Sequence, residues 1–211
     1  MVQTVRIGIV GCGEISRVHV QALQNAGGCT VVGACDLIED KAKALASRYG
    51  IPRTYSDFSG MLKEEKLDMV DITTPPQVHE RLAVEAMKAG CHVLVEKPMC
   101  MTVREADRMI EASKQSNVKL GVVHSFLFNP AISEALAGVR KGEIGDLLWV
   151  DTVISINSLL KWKDAPGFPE WYYSLSGGLF GEIIPHGIYV QLAFLGNIRK
   201  AFGVVKKIGI E

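Results

Sequence analysis

Arg6-Ile7-Gly8-Ile9-Val10-Gly11-Cys12-Gly13-Glu14-Ile15-Ser16 decides how this chain is read. An apolar, β-branched run breaks at two glycines and continues with helical spacing through Arg17-Val18-His19-Val20-Gln21-Ala22-Leu23. Strand, tight glycine turn and helix, in that order, form the context that a dinucleotide-binding fingerprint requires. Gly11 permits the turn, and Gly13 has no Cβ to keep a pyrophosphate from the backbone. Glu14 and Ile15 open the helix, whose free N–H groups and positive dipole end face that phosphate. Ser16 takes the third position, where a small residue allows close helix–strand packing. Thr30-Val31-Val32-Gly33-Ala34-Cys35 reads as the next strand and ends at Asp36, an acid placed to hold a ribose hydroxyl pair.

Outward from this unit the chain keeps alternating strand and helix. Asp40 to Tyr49 has helical spacing and stops at Gly50, with Ile51-Pro52 forbidding continuation. Ser56-Asp57 can cap a short helix over Phe58, Met61 and Leu62. Met69 to Thr73 is a strand, and Thr74-Pro75-Pro76 turns the chain into a helix carrying His79, Leu82, Ala83, Ala86 and Met87. His92 to Glu96 is a buried strand ended by Lys97-Pro98, an X-Pro bond able to be cis. Thr102-Val103-Arg104-Glu105 is a capping box that starts a helix to about Ser116, and Lys119 to Val123 is one more strand-like run. Strands joined by helical crossovers give a parallel, doubly wound sheet.

Composition excludes several partners. Lys plus Arg and Asp plus Glu stand at 23 each, so neither nucleic acid nor an anionic membrane is indicated. No apolar run approaches the roughly 18 residues of a membrane span. Met1 to Arg6 runs straight into the first strand and leaves no room for a secretory signal. The five cysteines lack a C-x-x-C pair and sit in apolar settings, which favours reduced core thiols in a cytoplasmic protein. The five histidines lack metal-ligand spacing, so no metal is expected.

Beyond about residue 120 the chain changes character. Tyr49, Tyr55 and Phe58 alone among its aromatics precede that point. Asn129-Pro130 begins a helix to Lys141-Gly142, and Asp146 to Ser155 reads as a long strand without a crossover helix behind it. A long loop with Trp162, Trp171, Tyr172 and Tyr173 follows, whose aromatic faces could line a sugar pocket or simply anchor the loop. Gly178 to Phe194 reads as helical and Phe202 to Ile208 as a strand. We take 1–123 as a dinucleotide-binding domain and 124–211 as part of an α+β domain built on an antiparallel sheet.

Gly11-Cys12-Gly13-Glu14-Ile15-Ser16 with His19, Thr74-Pro75 with His79, and Glu96-Lys97-Pro98 resemble the Gfo/Idh/MocA oxidoreductases. Gly142-Glu143-Ile144-Gly145 and Gly177-Gly178 before a helix with His186 are similar as well. The resemblance implies a Rossmann-type domain followed by one whose open antiparallel sheet serves substrate binding and homo-oligomer contact, as dimer or tetramer. It implies NAD or NADP as cofactor and a sugar, polyol or related compound as substrate. It also implies cofactor contact at Thr74, Pro75, His79, Glu96 and Lys97. The chain departs from the family in the late helix, where Asp-x-Gly-x-His is usual and Glu182-Ile183-Ile184-Pro185-His186 stands instead. Leu127 and Phe128 occupy the place of a common arginine, and the family's members are longer. Two strands with an apolar face do not stand alone, so further residues or an associated chain are implied.

The chemistry sets its own requirements. Hydride transfer from an alcohol carbon leaves an oxygen that must lose its proton, which calls for a base and a neighbouring cation. Lys97 follows Glu96 at a strand's carboxyl end, where open α/β sheets bind ligands; a solvated surface lysine is the other reading, and the resemblance assigns it to the site. His186 is a candidate base or a core histidine, with Glu182 four residues earlier able to orient it if Pro185 lies within one helix. His19 and His79 fit packing or capping as readily as ligand contact. With Asp36 present and no arginine in Leu37-Ile38, NAD is expected to bind more tightly than NADP. A nucleotide-binding sensor or subunit without turnover, and a biliverdin-reductase-like enzyme, are the alternatives.

Overall fold

A computed structural model describes residues 4–155, Trp171 and residues 179–204. The described residues fall into two compact units, 4–123 with Trp171, and 124–155 with 179–204.

In the first unit, β1 (Val5–Val10), β2 (Cys29–Cys35), β3 (Arg53–Tyr55), β4 (Met69–Ile72), β5 (His92–Val95) and β6 (Leu120–Val122) form one parallel sheet in the order β3-β2-β1-β4-β5-β6. The crossovers carry α1 (Glu14–Ala26), α2 (Glu39–Tyr49), α3 (Phe58–Glu64), α4 (His79–Lys88) and α5 (Val103–Gln115). Side chains of a strand alternate between the faces of its sheet, and β1 shows both faces covered. Ile7 and Ile9 enter a core with α1 and α2, while Val10 enters another with Met61, Leu82, Met87 and Met109. This is why its sequence reads as a continuous apolar run.

Helix ends follow local chemistry. Gly50, at φ +69°, closes α2 and donates its N–H to Ala46. Asp57 caps α3 by accepting the Gly60 N–H at 2.8 Å. The Thr102–Glu105 capping box starts α5 with both of its bonds formed.

Three segments differ from the sequence reading. β3 is a three-residue strand that the sequence pattern did not single out; it pairs with Gly33–Cys35. Residues 146–155, read as a long strand, carry no ladder, and Leu148 and Val153 are 92% and 84% exposed. A strand is defined by hydrogen bonds to a neighbour, and none is present beside this segment among the described residues. Residues 202–204 likewise pair with no strand among the described residues, and the remainder of that expected strand lies outside them. The expected antiparallel sheet is therefore not seen among the described residues. In the second unit α6 (Pro130–Arg140), capped by Asn129, contacts α7 (Leu179–Leu195). The buried apolar side chains of its described residues are Leu136, Tyr189 and Val190.

Candidate active site

The strand order reverses between β1 and β4, and open α/β sheets bind ligands at the crevice beyond such a switch point. Gly11 leaves β1 at φ +90°, where L side chains are strained. A Cβ there would also stand 2.8 Å from the Thr73 carbonyl carbon and from Thr74. Thr73, which the sequence reading passed over, locks this turn by donating its hydroxyl to the Gly11 carbonyl at 2.6 Å. Gly13 is different: its φ of −82° suits any residue, and a Cβ on it would meet nothing within 4 Å. The fold therefore leaves open space over Gly13, beside the first turn of α1, whose N-cap has no side-chain hydrogen bond.

Around that space the expected residues take different parts. Glu14 and Ile15 are exposed on the first turn of α1, and Glu14 pairs with Arg17 at 2.8 Å. Ser16 is fully buried and donates to the Gly13 carbonyl at 2.6 Å, so it packs the turn instead of reaching out of it. The Asp36 carboxylate accepts the N–H groups of Cys12 and Ile38 at 2.7 and 2.8 Å. This fixes its orientation and leaves lone pairs for further donors. Leu37 and Ile38 beside it are exposed, at 90% and 53%. Cys12 is buried, and burial with the neighbouring Asp36 charge pushes its thiol up to about 12, a packing group at neutral pH. Thr74 Oγ1 is buried with no hydrogen-bond partner among the described residues. Pro75 caps a 3-10 turn, Pro76–Val78, that leads into α4.

His79, expected at the cofactor, is fully buried. Its ring nitrogens face the Thr74 carbonyl at 2.7 Å and the Pro98 carbonyl at 3.0 Å, so both edges are taken by backbone. Burial lowers its pKa, against carbonyl contacts that favour the charged ring. The residue ties the Thr74 turn to the Pro98 turn. Glu96 directly follows β5, and one of its oxygens accepts the Lys97 N–H at 2.9 Å. Its other oxygen meets His19 Nε2 at 2.9 Å, and His19 Nδ1 meets Asp71 at 2.9 Å. The Lys97–Pro98 bond is cis. Sequence reading placed His19 and Glu96 near the cofactor but missed Asp71, because an acid inside a strand reads as an isolated irregularity.

In the second unit α7 runs through Glu182, Pro185 and His186, so the proline lies within the helix and Glu182 and His186 are one turn apart. His186 Nδ1 lies 2.6 Å from the Tyr189 hydroxyl, which also accepts the Phe126 N–H at 3.1 Å. His186 stacks on Phe126 and Tyr189 on His124, each pair with centroids 4.2 Å apart. Tyr189, absent from the sequence reading, is thus the partner seen at Nδ1.

Open space over an uncapped helix N-terminus, an acid at the tip of β2 and a buried hydroxyl without a partner among the described residues together fit a dinucleotide. Fold and site define a dinucleotide-binding α/β protein. The sequence matches the oxidoreductase family with an NAD-binding Rossmann fold over residues 5–124, and the chain belongs to this Gfo/Idh/MocA family. It is 35% identical over 141 residues to D-apiose dehydrogenase of Paraburkholderia graminis, covering 67% of this chain and 38% of that one. It is 27% identical over 192 residues to myo-inositol 2-dehydrogenase of Thermotoga maritima, covering 91% and 55%. The WlbA dehydrogenase of Bordetella pertussis, solved with NADH and UDP-GlcNAcA, superposes with a TM-score of 0.76 at 26% identity, covering 92% and 59%. The chain spans between about four tenths and six tenths of the length of these relatives.

Proposed function

We propose that this chain acts as an NAD-dependent dehydrogenase on a CH–OH group of a sugar, polyol or related hydroxy or keto compound. The observation that carries the reading is Lys97, tied through Glu96 and His19 to the helix that follows the glycine turn. The tie is made at the Lys97 backbone N–H, so the main chain that carries the cation is fixed at the carboxyl edge of the sheet that presents the opening over Gly13. Relatives that are D-apiose and myo-inositol 2-dehydrogenases support a polyhydroxylated substrate. In this reading residues 1–123 are the cofactor domain and 124–211 part of a substrate and oligomerisation domain, with a dimer or tetramer formed through the antiparallel sheet that the family resemblance implies. All five cysteines are free thiols, which fits the cytoplasm. No helix among the described residues is long and apolar enough to cross a membrane.

Bound NAD supplies the hydride acceptor. Oxidation breaks the carbinol C–H bond with its electron pair and the O–H bond with its proton, and the C=O bond forms. The N–H groups of the α1 first turn and the Gly13 backbone hold pyrophosphate, and Asp36 accepts from the ribose hydroxyls. Lys97 stabilises the negative charge that develops on the substrate oxygen. His186 takes the proton at Nε2, which requires Nδ1–H to donate to the Tyr189 hydroxyl. Glu182, one turn earlier, favours the imidazolium that results.

Screening sugars and polyols with NAD and NADP, read by the absorbance of reduced cofactor, tests the reading; absence of turnover with every compound class would overturn it. Lys97→Met keeps the stem and deletes the charge. It is expected to change NAD affinity little and to lower kcat by roughly 10² or more, and an unchanged kcat would remove Lys97 from the mechanism.

A further inference from the structure

His19 sits on the second turn of α1 with its imidazole enclosed, the side chain 10% exposed. Nδ1 stands 2.9 and 3.1 Å from the two oxygens of Asp71, and Nε2 stands 2.9 Å from Glu96 Oε1. A carboxylate only accepts hydrogen bonds, and a neutral imidazole has one N–H to give. The geometry is satisfied on both edges when the ring carries both protons. Asp71 is wholly buried in β4, so its charge needs a cation. The second oxygen of Glu96 holds the Lys97 N–H. One chain of charged hydrogen bonds thus joins the helix of the glycine turn, the centre of β4, the end of β5 and Lys97.

We propose that His19, as an imidazolium bridging Asp71 and Glu96, is a positioning residue that fixes the Glu96 carboxylate and through it the backbone of Lys97. The inference rests on the reading of Lys97 as the cation of the reaction. Burial pushes the His19 ring down, but hydrogen bonds and charge from Asp71 and Glu96 outweigh it and hold the ring at about 9. The charged groups facing the ring among the described residues are these two carboxylates, from β4 and β5; His79 on α4 senses Glu96 as well and stays a weaker base. Without the imidazolium, the buried Asp71 and Glu96 carboxylates lose the cation between them, and the grip on the Lys97 backbone is released.

The test uses the full chain and two readouts. Ring-nitrogen NMR at pH 7 is expected to show both His19 nitrogens protonated, and the Lys97 amide to be protected from exchange. Raising the pH is expected to deprotonate His19 and to shift the Lys97 amide along the same curve, without any substitution. His19→Gln is expected to lower kcat about 10-fold or more, as displacement of a catalytic group does, while NAD binding changes less than about 3-fold. The kcat of His19→Gln then loses the alkaline limb that follows His19 in the wild type. A neutral His19 at pH 7, or a Lys97 amide indifferent to its titration, overturns the proposal even if the enzyme turns over. Absence of turnover with every substrate overturns the dehydrogenase reading and leaves the NMR result standing on its own.

Discussion

At Gly11 the backbone lies at φ +90° and an added Cβ would press within 2.8 Å of the Thr73–Thr74 backbone, whereas at Gly13 it would meet open space. The two glycines of one motif therefore separate by experiment. Gly11→Ala is expected to cost roughly 2 kcal/mol or more of stability, from strain and overlap together. Gly13→Ala is expected to change stability by less than about 1 kcal/mol, the scale of an N-cap replacement, while NAD affinity collapses. Urea unfolding beside an NAD titration reads both; wild-type NAD affinity in Gly13→Ala would show that nothing approaches that backbone. Asp36 is held by two backbone N–H groups with Leu37 and Ile38 exposed beside it, and its charge repels a 2′-phosphate. Asp36→Ser is expected to narrow the preference for NAD over NADP. Equal affinities in the wild type would refute that role.

Among the elements, α7 joins local and long-range information. Pro185 removes one backbone donor, yet the helix runs through it from Leu179 to Leu195 and brings His186 to Tyr189 at i, i+3. The Tyr189 hydroxyl is itself pinned by the Phe126 N–H, so the His186 ring is held from outside its own helix. Tyr189→Phe is expected to lower kcat by about 10-fold, the scale of a lost orienting bond, and to move the acid limb of its pH profile. Glu182→Gln tests the neighbouring carboxylate in the same way. If both variants keep the wild-type profile while His186→Ala loses activity, the ring acts without an orienting partner. The α5 capping box, by contrast, lies within four residues and was fully legible, since Thr102 and Glu105 satisfy each other's backbone N–H groups.

For the molecule as a whole, three histidines set opposing pH dependences. His19 is held at about 9, above the ordinary value near 6.5, so the native state binds a proton more strongly than the unfolded chain. Its contribution to stability is complete below about pH 6.5 and is lost as pH rises to about 9. Burial lowers His79 and His124, so their contribution is complete above about pH 6.5 and is lost in acid. Thermal unfolding across pH 5 to 10 is expected to show a decline on each side, with the alkaline one absent in His19→Gln. A wild-type Tm that stays flat between about pH 6.5 and 9 would contradict the His19 assignment.

The sequence by itself determined the parallel sheet and the glycine turn. β1, β2 and β4 are buried on both faces, and their apolar runs, helix caps and terminal glycines are signals carried within a few residues. It also placed Asp36 and Lys97 at strand tips, since a strand's end is a local event. Tertiary structure decided what depends on partners far away in the chain. β3 is three residues long and exists through the edge of β2. Residues 146–155 have the composition of a strand but no neighbour to bond, and remain unpaired among the described residues. His19 meets Asp71 and Glu96 across 52 and 77 positions, and His186 owes its fixed hydroxyl partner to Phe126, 63 positions from Tyr189. Local spacing fixes which element a residue joins; only the packing of those elements fixes which charge or hydroxyl stands within hydrogen-bond reach of it.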